Sequence, residues 1–129
     1  MKTSSKKDKG RRLQNKVAER ISKLLNIPWG YDEMIAPREM GQSGTDIRLV
    51  GEAKRLFPFA VECKNQERWA IPEWIKQAKA NTSDDLPDWL LFVSRNRMKD
   101  PIVVMESETF FKLMEKLLRC QQNDQENND

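Results

Sequence analysis

Asp46, Glu62 and Lys64 are the residues whose types and spacing could do chemistry. Residues 59–64 (FAVECK) alternate in character, so an extended strand would point Phe59, Val61 and Cys63 to one face and Ala60, Glu62 and Lys64 to the other. Glu62 and Lys64 would then stand side by side, about 7 Å apart along the strand. In residues 46–50 (DIRLV), Ile47 and Leu49 would face a core. Antiparallel pairing of the two strands would bring Asp46 to the side of Glu62 and Lys64. Two converging carboxylates bind a hard divalent cation such as Mg2+, with Mn2+ a substitute, and leave positions for water and a phosphate oxygen. Asp46, Glu62 and the intervening Cys63 are the candidate metal ligands. Lys64 could orient or deprotonate the attacking water, or stabilise a pentavalent transition state, and the sequence leaves these roles open. The plainer alternative is a solvated sheet face carrying an incidental salt bridge.

Acid-x-Lys recurs by chance in so charged a chain, and Glu52-Ala53-Lys54 is a second instance. Glu52 follows Gly51 in an expected turn and lacks alternating apolar neighbours, so context selects Glu62.

Composition narrows the chemistry. The chain of 129 residues has no histidine, which removes Ser-His and Cys-His nucleophile pairs and histidine-based zinc sites. Hydrolysis would fall to carboxylates, lysine and a hard metal. Cys63 and Cys120 lack C-x-x-C spacing and read as free thiols. No apolar run approaches membrane-span length and the polar N-terminus lacks a signal-peptide core, so a cytoplasmic protein without membrane contact is expected. The net charge of +3 hides an asymmetry: residues 1–23 carry nine Lys or Arg against Asp8 and Glu19, while residues 120–129 carry three acids and no base. The basic end suits a polyanion such as DNA. Lys9, Arg11, Arg12, Arg95, Arg97 and Lys99 are candidate phosphate contacts that would position a duplex without reading its sequence.

The elements that must hold these residues follow from periodicity. One domain over residues 10–119 is expected, between a disordered basic arm (1–9) and a disordered acidic tail (120–129). Leu13, Val17, Ile21, Leu24 and Leu25 mark one face of a helix from Gly10 to about Asn26, ended by Asn26 and Pro28. Strands are predicted near 34–38, 45–50 and 58–64, with a Gly41/Gly44 loop and a turn at 51–56 between them. A helix opens at Pro72 and runs to about Ala80. Two β-rich runs at 89–94 and 102–105 follow, then a closing helix at 107–119. The order is α-β-β-β-α-β-β-α, an α/β class with a central mixed sheet of about five strands flanked by helices.

Four motifs carry a resemblance: Lys9-Gly10 at the start of helix one, Gly44-Thr45-Asp46 on one strand, Glu62-Cys63-Lys64 on the next, and Gln77 on the following helix. Over about residues 9–115 the chain resembles the PD-(D/E)XK nuclease superfamily, and within it the Holliday junction resolvases of archaea and bacteriophages. The resemblance implies a restriction-endonuclease-like core, a magnesium-dependent phosphodiesterase centred on Asp46, Glu62 and Lys64, and a homodimer on branched DNA. It also implies that Gln77 supports the site. Where the family usually places a glutamate, four residues after the glycine of helix one, this chain has Gln14. Glu19 would be a substitute, but it points nearly opposite the helix's apolar face, so Gln14 is the better placed. Gln14 could hydrogen-bond a metal-bound water but supplies no charge.

Three functional classes follow: a junction-resolving endonuclease, a less selective nickase, repair or restriction-like nuclease with the same centre, and a DNA-binding module whose site no longer works. Recognition by DNA shape suits a chain too short for a separate base-reading domain, and two-fold symmetry suits paired cuts.

Overall fold

The computed structural model describes residues 3–39 and 43–128. Gly41 of the expected glycine loop lies outside them. Helix α1 (Thr3–Leu25) leads to strands β1 (Ile35–Pro37) and β2 (Ile47–Leu49). Next come a short α2 (Gly51–Leu56), β3 (Ala60–Asn65) and α3 (Ile71–Ala80), then β4 (Trp89–Ser94), β5 (Ile102–Val104) and α4 (Ser107–Asn128).

The five strands form one mixed sheet in the order β1-β2-β3-β4-β5. β3 and β4 run parallel, joined by α3 as the crossover, and every other neighbouring pair is antiparallel. This is the expected α/β architecture, a five-stranded mixed sheet flanked by helices, consistent with a restriction-endonuclease-like core.

Burial on both faces of β3 explains its alternation. Leu13, Val17 and Ile21 of α1 pack with Ile47, Val61, Cys63 and Leu90 on one face. Trp74 and Ala78 of α3 pack with Ala60, Leu91 and Val93 on the other. The sheet is thus the middle of three layers. Helix α1 stops where Asn26 adopts φ 57°, and the Ile27 amide donates to the Ser22 carbonyl at 3.2 Å, a Schellman-type end.

Three boundaries differ from the sequence expectation. Residues 51–56 form a helix rather than a turn: Gly51 supplies the left-handed φ of 58°, and Ala53 is fully buried behind it. A lone glycine signals the bend but says nothing about the buried alanine that makes a helical turn worthwhile. The expected disordered arm is drawn into α1, which starts at Thr3 and buries Lys9. The expected acidic tail is drawn into α4, which continues to Asn128. No helix among the described residues is long and apolar enough to cross a membrane.

Candidate active site

Register brings the two carboxylates together. Ile47 pairs with Val61 across the antiparallel β2–β3 ladder, so the next position sets Asp46 against Glu62. Asp46 stands just outside β2, where its own amide still donates to the Val61 carbonyl at 2.9 Å. Beyond it the strands part, and the Asp46 side chain takes over as acceptor: its Oδ2 receives the Cys63 amide at 2.7 Å. Its Oδ1 pairs with the Arg38 guanidinium at 2.8 Å, and Arg38 in turn donates to the Gly44 carbonyl. Asp46 is 3% exposed, so these bonds replace nearly all of its hydration.

Glu62 is equally buried, at 4% exposure, on the face covered by α3. Asn81, which caps the C-terminus of α3, donates from Nδ2 to Glu62 Oε1 at 2.6 Å. The Glu62 carboxyl is nevertheless pushed up to about 7. Burial is the largest cause and the facing Asp46 charge the next; the Asn81 hydrogen bond and Arg38 act in the opposite direction. Lys64, two residues along the same face, is half-buried and makes no ion pair or side-chain hydrogen bond among the described residues.

Two buried carboxyls facing each other with one guanidinium nearby leave negative charge uncompensated. All the donors are oxygens, and among the described residues no group of three His, Cys, Asp or Glu gathers as a fuller ligand set. Such a pair fits magnesium, which is held by one or two carboxylates and keeps several waters. The same arrangement can therefore hold a hard cation on the strand that also carries Lys64.

A family model described as "Phage putative PDDEXK endonuclease" matches residues 5–128. The chain belongs to this PD-(D/E)XK endonuclease family. No curated protein and no solved structure matches the chain.

In this endonuclease the other expected site residues are placed unevenly. The Cys63 side chain points into the α1-side core, and burial pushes its thiol well above the usual range, so its sulfur is not a ligand at the carboxylate pair. The period of two that aims Glu62 at one face aims Cys63 at the other; only its backbone faces Asp46. Gln14 is half-buried on α1, the helix that covers the face opposite Glu62, and it makes no hydrogen bond to Asp46, Glu62 or Lys64. Gln77 is exposed, and its side chain makes no hydrogen bond to the carboxylates. Asn81, one helical turn later, reaches Glu62 instead.

Among the basic residues, Arg11, Arg12, Arg95, Arg97 and Lys99 are exposed. Lys16 Nζ donates to the Lys99 carbonyl at 2.9 Å, joining the basic side of α1 to the β4–β5 turn. Arg95 lies 4.1 Å over the Trp69 ring. Lys9 is the exception: it is 4% exposed and pairs with Glu67 at 3.6 Å, and Glu67 also accepts the Asn96 amide at 3.0 Å. It is therefore a strut between α1 and that turn, with its ammonium turned away from solvent. Sequence reasoning missed Asn81, Arg38 and Glu67. Only Asn81 had a usable signal, its position four residues after Gln77 on the same side of the helix.

Proposed function

We propose that this endonuclease is a metal-dependent, structure-selective enzyme that hydrolyses phosphodiesters in branched DNA, acting as a Holliday junction resolvase built from two copies. The observation that carries the reading is the buried Asp46–Glu62 pair with Lys64 beside it. Asp46 and Glu62 would hold a magnesium or manganese ion. When bound, such an ion offsets the charge that builds on phosphorus and acidifies water. Arg38 and the Cys63 amide fix the Asp46 carboxylate, and Asn81 fixes that of Glu62, so neither need reorganise as substrate arrives. Lys64, which has no acidic partner among the described residues, is available to a phosphate oxygen or to the attacking water.

Preference for branched DNA is supported by the resolvase-like motifs at Lys9-Gly10, Gly44-Thr45-Asp46 and Glu62-Cys63-Lys64. The exposed cations on α1 and on the β4–β5 turn suit phosphate contacts, which position a duplex by shape rather than by base sequence.

The test is cleavage of labelled four-way junction, nicked duplex and linear duplex with magnesium, manganese or EDTA. Wild type is compared with Asp46→Asn, Glu62→Gln and Lys64→Ala. Metal-dependent paired cuts at the junction, lost in all three variants, are expected. Equal cutting of every substrate would make the protein a general nuclease. Tight junction binding without cleavage under either metal would make it a binding module and end the catalytic assignment.

A further inference from the structure

Helix α4 carries an apolar stripe that its own domain does not use. Of its described residues only Thr109 is buried and only Met114 half-buried. Phe110, Phe111, Leu117 and Leu118 are 47%, 57%, 48% and 51% exposed. At 100° per residue these four lie within about 60° of the Met114 direction, while Thr109, which meets the domain, lies about 140° away. Lys112, Glu115, Lys116 and Arg119 occupy the rest of the surface. The stripe faces away from the protein that bears it.

Its pattern reads the same in both directions. Apolar residues stand four and three positions before Met114 and three and four positions after it. Two such helices laid antiparallel about a two-fold axis at Met114 would therefore match themselves. Phe110 would lie beside Leu117 of the second copy, Phe111 beside Leu118 of the second copy, and the two Met114 side chains would meet on the axis. Glu108 would come level with Arg119 of the second copy on the same side of the pair. With Leu113, also 38% exposed, the face offers roughly 450 Å² of apolar surface per copy. A standard interface takes about 800 Å² from each partner, so the stripe supplies more than half of one, at its apolar centre.

We propose that α4 is the surface through which two copies of this chain associate, as an antiparallel helix pair centred on Met114. This deepens the two-copy reading given above, naming its interface. A two-fold contact is isologous, so the surface must complement itself, and a stripe symmetric about one residue does so.

The experiment needs neither DNA nor metal, so it stands apart from the nuclease assignment. Sedimentation velocity of the full chain in the micromolar range is compared with a Leu117→Glu/Leu118→Glu variant, whose fold is checked by circular dichroism. A dimer in the wild type and its loss in the variant are expected. In parallel, Met114→Cys and Lys112→Cys are each made with Cys120→Ser, Cys63 being buried, and treated with a short bis-maleimide. Covalent dimer is expected from position 114 and not from position 112, and this arm decides the matter if the glutamate variant fails to fold. A wild-type monomer would overturn both this interface and the two-copy reading. A dimer that survives the glutamates, or that crosslinks equally at both positions, would overturn the α4 interface while leaving two copies in place.

Discussion

Asn81 at the end of α3 donates to Glu62 at the middle of β3, 2.6 Å away and on the sheet face that α3 covers. That single bond couples the last turn of a surface helix to a buried carboxylate raised to about 7. It favours the ionised form in a setting where burial and the neighbouring Asp46 both oppose it.

Replacing Asn81 with alanine should raise the Glu62 pKa further. A hydrogen bond to a charged group contributes roughly 1.5–3 kcal/mol, so magnesium affinity at neutral pH should fall about tenfold or more. The acidic limb of the pH–rate profile should move to higher pH. Magnesium titration calorimetry and initial rates against pH measure the two effects, and an unmoved acidic limb would detach Asn81 from Glu62.

The metal-free protein should lose stability as pH rises. The Glu62 carboxyl is pushed up to about 7 in the folded state against 4.5 for an ordinary glutamate, so the folded state binds the extra proton between them. The contribution of Glu62 is therefore fully present below about 4.5, declines through the interval and is lost above 7, a change on the order of 3 kcal/mol. Thermal melts of Glu62→Gln should lack this component, and the variant should be the more stable of the two at pH 8. Magnesium should raise the melting temperature of the wild type more at pH 8 than at pH 5, and EDTA should reverse the rise.

Lys64→Ala should separate catalysis from folding. Lys64 has no ion pair among the described residues, so the melting temperature should stay close to that of the wild type. Cleavage should fall by roughly 100-fold or more, as for loss of a group that assists proton transfer or stabilises charge. A variant that cut DNA at the normal rate would leave Asp46 and Glu62 without this partner.

Lys9 and Arg97 should behave differently although both are basic. Lys9→Ala removes a buried ammonium from Glu67 and should destabilise the fold by roughly 1–2 kcal/mol. Arg97→Ala should leave the melt unchanged and reduce the salt dependence of DNA binding by about one phosphate contact. Denaturant melts and binding isotherms across salt concentrations distinguish them.

Much of this protein was readable from pattern. The alternation in residues 59–64 and 46–50 placed Glu62 and Lys64 on one strand and Asp46 at the start of its partner, because a period of two assigns faces wherever both sides of a sheet are buried. The apolar spacing of Leu13, Val17 and Ile21 marked α1, and Pro72 marked the opening of α3. The α2 helix was not readable, because its six residues span too little for periodicity and its reason, the burial of Ala53, is a tertiary contact. The last turns of α4 were not readable either, since a polar stretch has no apolar face to announce a helix.

Local pattern thus decided the fold class and the acid-x-Lys strand, for which short-range periodicity suffices. Packing decided which residues complete the site. Asn81 rather than Gln77 meets Glu62, Arg38 meets Asp46, and Lys9 turns inward to Glu67. Each of these pairs joins different elements, and their meeting depends on where a helix ends or a strand departs from its neighbour. Those are distances in space that spacing along one chain does not encode.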